Sequence, residues 1–194
     1  MKSNQQYDVV YIGNYTKDTI ITPAGTHHVD GGGARYAAHA ANRLGLKVAI
    51  VTCLAQEDQY VVDDLERAGI DCYATYSPSS TLMQLEYPTT DPDIRTLTVA
   101  GVAGAISAGA VENLEMQSAV IGSSLRGEVG LDVIQKVKEK GATLAADMQG
   151  FVRVLRGQEL KYEPWDEMQE TLSYLDILKS DAVEAEFLTG ETDI

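Results

Sequence analysis

The stretch 31–58, GGGARYAAHAANRLGLKVAIVTCLAQED, decides the fold. It opens on three glycines, continues as an alanine-rich helical segment and closes at Gly45, the residue type that most readily ends a helix in left-handed backbone. Residues 47–54 (KVAIVTCL) follow, nearly all apolar and rich in β-branched types. That is the composition of a strand covered on both faces. A helix leading into such a strand belongs to a mostly parallel sheet flanked by helices.

The same alternation extends outward. Residues 7–13 (YDVVYIG) read as a short buried strand ending in glycine, and residues 58–69 as an amphipathic helix with Val61, Leu65 and Ala68 on one face. Between Asp71 and Val102 the pattern changes: β-formers alternate with turn signals, as in CYATYS and around the Pro88–Pro92 turn. This stretch predicts an antiparallel ribbon, to which residues 20–29 could add a strand. Strand–helix alternation then resumes: strand 118–122, helix 128–141, strand 142–147, helix 166–174, strand 175–179 and helix 181–188. Glu128 stands at the start of the first of these helices and Lys136, Lys138 and Lys140 near its end, matching the helix dipole. The expectation is one α/β domain over residues 1–194, a Rossmann-like sheet with helices on both faces and a small antiparallel β-lid built from about 19–30 and 71–102. The chain stops at Ile194 soon after Gly190, with no closing strand, so a fragment is expected.

Composition narrows the function classes. The 194 residues are 44% apolar and 23% charged, as in an ordinary globular domain. A formal net charge of −14 opposes binding to nucleic acid or anionic membranes, both of which need Lys and Arg to neutralise phosphates. No apolar run is long enough to span a bilayer, and residues 1–8 lack a signal core, so a cytoplasmic protein is expected. Cys53 and Cys72 fit no zinc spacing and read as free thiols.

In an open parallel sheet, ligands bind beyond the carboxyl ends of the strands. Four segments place polar groups there. In residues 13–18 (GNYTKD), Asn14 can donate and accept and Asp18 can accept from two hydroxyls of a vicinal diol, although both types also satisfy turns. The glycines 31–33 let a ligand approach backbone N–H groups at a helix start, or simply permit a tight turn. Arg35, Tyr36 and His39 lie in the first two turns of that helix, where a packed or solvated His39 is the plainer reading. In residues 147–153 (DMQGFVR), Gln149 and Arg153 could contact substrate hydroxyls or phosphate, or Arg153 could pair with surface acids. In residues 179–184 (KSDAVE), Asp181 and Glu184 have capping-box spacing, and Glu184 could also hold magnesium-bound water. His27 and His28 point to opposite faces of a strand and form no shared metal site.

Taken together, these segments resemble the ribokinase-like (PfkB) family of carbohydrate and nucleoside kinases. Residues 31–58 are similar to its N-terminal signature, DILKSDAVEAEFLTG (176–190) to its Lys-x-Asn-x-x-Glu segment, and GNYTKD to its first substrate loop. The GNY-x-x-D and DMQGFVR segments resemble the inositol-kinase-like branch most. The resemblance implies ATP-dependent phosphorylation of a hydroxyl on a sugar, polyol or nucleoside, with Mg²⁺. It implies that Asn14, Asp18, Gly32 and Gly33 bind substrate hydroxyls, with Tyr36, Gln149 and Arg153 beside them. Lys179, Asp181 and Glu184 would lie near the phosphates and Mg²⁺, and a homodimer would form through the lid. The sequence departs from the family pattern at Tyr36 and Asp181, which replace asparagines, and at Gln56, which replaces the glycine of Gly-x-Asp. It also lacks the Gly-Ala-Gly-Asp segment that supplies the base and anion hole. The base is therefore expected beyond Ile194, and the 194-residue chain alone is expected to be inactive. The alternative reading is a non-catalytic sugar- or polyol-binding module.

Overall fold

In the computed structural model, which describes residues 6–92 and 94–192, every position of the strand Val48–Ala55 is buried. The elements before it are β1 (Gln6–Ile12), β2 (Thr16–Thr22), β3 (Gly25–Gly31) and α1 (Gly33–Arg43). Val48–Ala55 is β4, followed by α2 (Gln59–Arg67), β5 (Asp71–Ser77), β6 (Thr81–Glu86), β7 (Thr96–Gly101) and β8 (Glu115–Ile121). Next come α3 (Leu131–Glu139), β9 (Thr143–Asp147), α4 (Gln149–Val152), β10 (Arg153–Arg156) and β11 (Glu159–Tyr162). The last elements are α5 (Met168–Tyr174), β12 (Ile177–Lys179) and α6 (Ala182–Thr189).

Six strands form a parallel sheet in the order β12-β9-β8-β1-β4-β5. Alternation along β1 and β4 splits the core in two. Val10, Ile12, Ala49 and Val51 pack with Val133, Ile134 and Val137 of α3 on one face. Val9, Val48, Ile50 and Leu54 pack with Ala34, Ala38 and Ala41 of α1 and Val61 and Leu65 of α2 on the other. Both faces are thus covered, as an apolar β4 requires. The alanine spacing of α1 keeps that helix close to the sheet.

A second six-stranded sheet, β10-β11-β7-β6-β2-β3, is antiparallel except for the β2–β6 pair. Its inner face carries Met83 and Val99, packed with Leu125, Leu155 and Leu160. The expected ribbon boundaries need correction. Residues 71–77 are β5, an edge strand of the parallel sheet; half-exposed edges alternate in polarity and so mimic a ribbon. The second sheet begins earlier, at Thr16, so Asp18 stands on a strand rather than in a loop. It also gains the β10–β11 hairpin, which places Arg153 at a strand start instead of in a loop. The helix expected over 128–141 begins at Leu131, which leaves Glu128 in the preceding loop. Among the described residues, no helix is long and apolar enough to cross a membrane.

Candidate functional site

The carboxyl ends of β1 and β8 and the start of α1 meet so closely that side chains are excluded between them. A β-carbon at Gly13 would lie 2.5 Å from the carbonyl oxygen of Gly122, and one at Gly122 would lie 3.0 Å from the amide of Ala34. Gly32 caps α1 with φ of 103°, and a β-carbon there would sit 2.8 Å from the carbonyl oxygen of Asn14. Left-handed backbone and close approach together demand glycine at this position. The glycine-rich helix start and the loop after β1 therefore share one corner of the molecule.

Asn14 is fully buried in that corner. Its Oδ1 accepts from the Cys53 amide (3.1 Å) and its Nδ2 donates to the Gly104 carbonyl (3.0 Å), which stitches the loop to β4 and to the segment after β7. The Tyr15 amide donates to Thr52 Oγ1 at 2.8 Å. Asp18 follows on β2, opposite Val29 and two residues from the Thr16–Gly31 pair. A β-carbon at Gly31 would collide with Asp18 Oδ2 and Thr16 Oγ1, so the carboxylate lies against the triple glycine. Asp18 Oδ1 is buried without a hydrogen-bond partner. Burial pushes the Asp18 carboxyl above its ordinary value, the Asp30 charge adds to that, and the Thr16 hydroxyl opposes it.

The roots of the second sheet are held by a separate polar set. Asp30 Oδ1 accepts from the hydroxyls of Tyr15 (2.6 Å) and Tyr60 (2.8 Å). Burial alone would raise the Asp30 carboxyl, but these two hydroxyls, with Arg35 and Lys17 nearby, hold it below its usual range. Lys17 Nζ donates to the buried Asp58 at 2.8 Å, and Ser80 Oγ donates to the other Asp58 oxygen at 2.6 Å. Asp58 keeps its acid although Gln56 has replaced the glycine of the motif.

A second group lies at the ends of β9 and β12. Lys179 Nζ pairs with Asp147 Oδ2 at 3.1 Å, and Gln149 Nε2 donates to the Ser123 carbonyl at 3.4 Å. Arg153 approaches Glu184 Oε1 at 3.7 Å, an ion pair without a hydrogen bond, so that oxygen stays buried and without a donor. Burial raises the Glu184 carboxyl, with Asp181 and Asp147 adding to the shift. Asp181 caps α6 by accepting from the Glu184 amide (2.8 Å), while Glu184 Oε2 accepts from the Asp181 amide (2.9 Å), a complete capping box.

Asn14, Asp18, Gly32 and Gly33 thus come together, and Gln149, Arg153, Lys179, Asp181 and Glu184 form their own cluster. The loop after β8 is the neighbour of both. Tyr36 does not join either: it is 53% exposed, and its hydroxyl donates to the Asp30 carbonyl. Glu128, which the sequence pattern offers only as a helix start, lies between these groups. Its buried carboxylate accepts from the amides of Asn14 (3.3 Å), Ser124 (3.0 Å) and Leu125 (3.1 Å). Burial pushes it up to about 7 although the three amides pull the other way. Beside this loop, Arg126 sits over the ring of Trp165, which stacks on Phe151 at 5.9 Å.

Comparison with curated proteins finds no match. Among solved structures, a pyrophosphate-dependent kinase of the ribokinase family in complex with sulfate is 31% identical, with TM-score 0.87 over 95% of this chain and 66% of its own. A pyrophosphate-dependent kinase of that family bound to a pyrophosphate analogue and myo-inositol is 29% identical, with TM-score 0.86 over 95% of this chain and 65% of its own. Arabidopsis thaliana ribokinase with ribose and ATP shares the fold at TM-score 0.70 and 15% identity, over 98% of this chain and 65% of its own. The chain therefore spans slightly less than two thirds of these relatives. Residues 5–194 match the pfkB family carbohydrate kinase family, and the chain, a ribokinase-like α/β fold, belongs to it.

Proposed function

We propose that the intact protein transfers a phosphoryl group to a hydroxyl of a cyclic polyol of the inositol type, and that this chain provides the acceptor-binding side. The observation that carries the reading is Asp18 Oδ1, buried without a donor on a carboxylate packed against Gly31, the first of the three glycines. A buried carboxylate oxygen left unpaired is costly, and two neighbouring ligand hydroxyls supply the donors it lacks. Gly32 and Gly33 open the helix start to the same ligand. Similarity at 29% identity to the pyrophosphate-dependent kinase bound to myo-inositol supports a polyol over the ribose bound by the 15% identical ribokinase.

Lys179, at the end of β12, and Arg153, at the start of β10 in the second sheet, supply positive charge for the donor phosphates. The donor is ATP with Mg²⁺ or, as in the most similar kinases described above, pyrophosphate. Among the described residues no group of three or more acidic, His or Cys side chains could hold a metal directly. Glu184 Oε1, lacking a donor, fits a magnesium-bound water instead. The ion would neutralise phosphate charge during transfer. The second sheet acts as the lid, with Asp18 on its root.

The test is thermal shift and calorimetric titration of the folded chain with myo-inositol, ribose and fructose, with Asp18→Asn as control, followed by phosphorylation assays of the intact protein with each donor. Myo-inositol should stabilise the chain, and Asp18→Asn should abolish the effect. Absence of stabilisation by every polyol and sugar would end the proposal, whereas binding without phosphorylation by the intact protein would favour a non-catalytic module.

A further inference from the structure

From within the loop after β8, the Glu128 carboxylate binds amides of its own loop and of the loop after β1, the two loops that flank the triple glycine. Oε2 accepts from Asn14, in the loop after β1, and from Ser124, in the loop after β8, while Oε1 accepts from Leu125. The residue is 2% exposed, and its own carbonyl accepts from the Ile106 amide at 2.8 Å, which fixes its backbone as well. Asn14 in turn places its carbonyl oxygen against Gly32, and Gly122 presses on the first turn of α1. A shift of either loop would therefore move the glycine edge.

We infer that Glu128 is a positioning residue for acceptor binding: it fastens the loop after β1 to the loop after β8 and thereby sets the spacing between Asn14, Asp18 and the Gly32–Gly33 helix start. The inference deepens the polyol reading and rests on it for the ligand. Glu128 touches no ligand itself. Its effect passes through Asn14, whose side chain is already spent on Cys53 and Gly104, so the carboxylate is what holds the Asn14 amide and ties it to the loop after β8. A carboxylate suits the task because one oxygen can accept two amides at once. An amide in its place keeps one accepting oxygen and turns a donor toward Leu125.

The test compares myo-inositol affinity, melting temperature and amide exchange in the wild-type chain, Glu128→Ala, Glu128→Gln and the core truncation Val133→Ala. Val133 is wholly buried in α3 and packs only in the core, so it reports loss of stability alone. Glu128→Ala should weaken affinity by at least ~10-fold, since three buried amides lose their acceptor. Val133→Ala should melt lower yet bind as the wild type does. Glu128→Gln should rescue affinity to within about threefold, with faster exchange at Leu125 and continued protection at Asn14 and Ser124. Wild-type affinity in Glu128→Ala, or an equal loss in Val133→Ala, would overturn the inference. If Glu128→Ala does not fold, Glu128→Gln decides: uniform change at all three amides, or none, overturns it. Should the wild type fail to bind myo-inositol, the polyol reading falls, and the exchange pattern alone judges whether Glu128 joins the two loops.

Discussion

Asp18 carries a buried oxygen with no donor in reach, and a carboxylate so placed is costly to ionise. Its raised folded value means that it contributes stability in acid, which is lost as pH rises through that value. Asp18→Asn should therefore raise the melting temperature of the unliganded chain at neutral pH, by about 1 kcal/mol or ~2–4 °C, while removing the response to polyol. A lower melting temperature would contradict the reading of a strained, ligand-seeking carboxylate. Glu128 obeys the same sign over a defined window: its contribution is full below 4.5 and is lost as pH climbs through about 7. Denaturation across that interval should show wild-type stability declining relative to Glu128→Gln, by at most on the order of 3 kcal/mol. The Glu128 effect could not be read from the sequence, because the amide of Asn14 that it binds lies 114 positions away.

At the scale of elements, α1 and β4 were legible because their signals are local. Glycine caps, alanine spacing and an uninterrupted apolar run need no knowledge of neighbours, and the capping box of α6 is likewise written in four consecutive residues. β5 was misplaced because an edge strand exposes one side and alternates like a ribbon. The β10–β11 hairpin was missed because its strands are four residues each and mostly half-exposed or exposed, so hydrophobic periodicity has too few positions to register. The triple glycine was legible as the start of a helix, but its structural reason, the approach of Gly122 and Asn14 from other strands, was not. Gly32→Ala follows directly. The added carbon meets the Asn14 carbonyl oxygen at 2.8 Å in backbone of φ 103°, so destabilisation of about 1–3 kcal/mol is expected, with loss of polyol binding. Equilibrium denaturation and titration of that variant check both parts; unchanged affinity would remove the glycine edge from the site.

Over the whole molecule, 29 acidic and 15 basic residues leave a net charge of −14, and self-repulsion works against the compact state. Raising salt from low to physiological ionic strength shortens the screening length to about 8 Å and should lift the melting temperature by a few degrees. A fall on adding salt would indicate that the ion pairs, such as Lys17–Asp58, outweigh the repulsion. The two sheets meet at the glycine corner: Gly13 and Gly122 follow strands of the parallel sheet, while Asp18 and Gly31 stand on strands of the second. Trp165, the chain's only tryptophan, stacks on Phe151 under the guanidinium of Arg126, two residues from Glu128. The protein thus carries an intrinsic fluorophore at the loop that bridges its two polar clusters. Emission excited selectively at that indole follows this loop optically, without any attached dye.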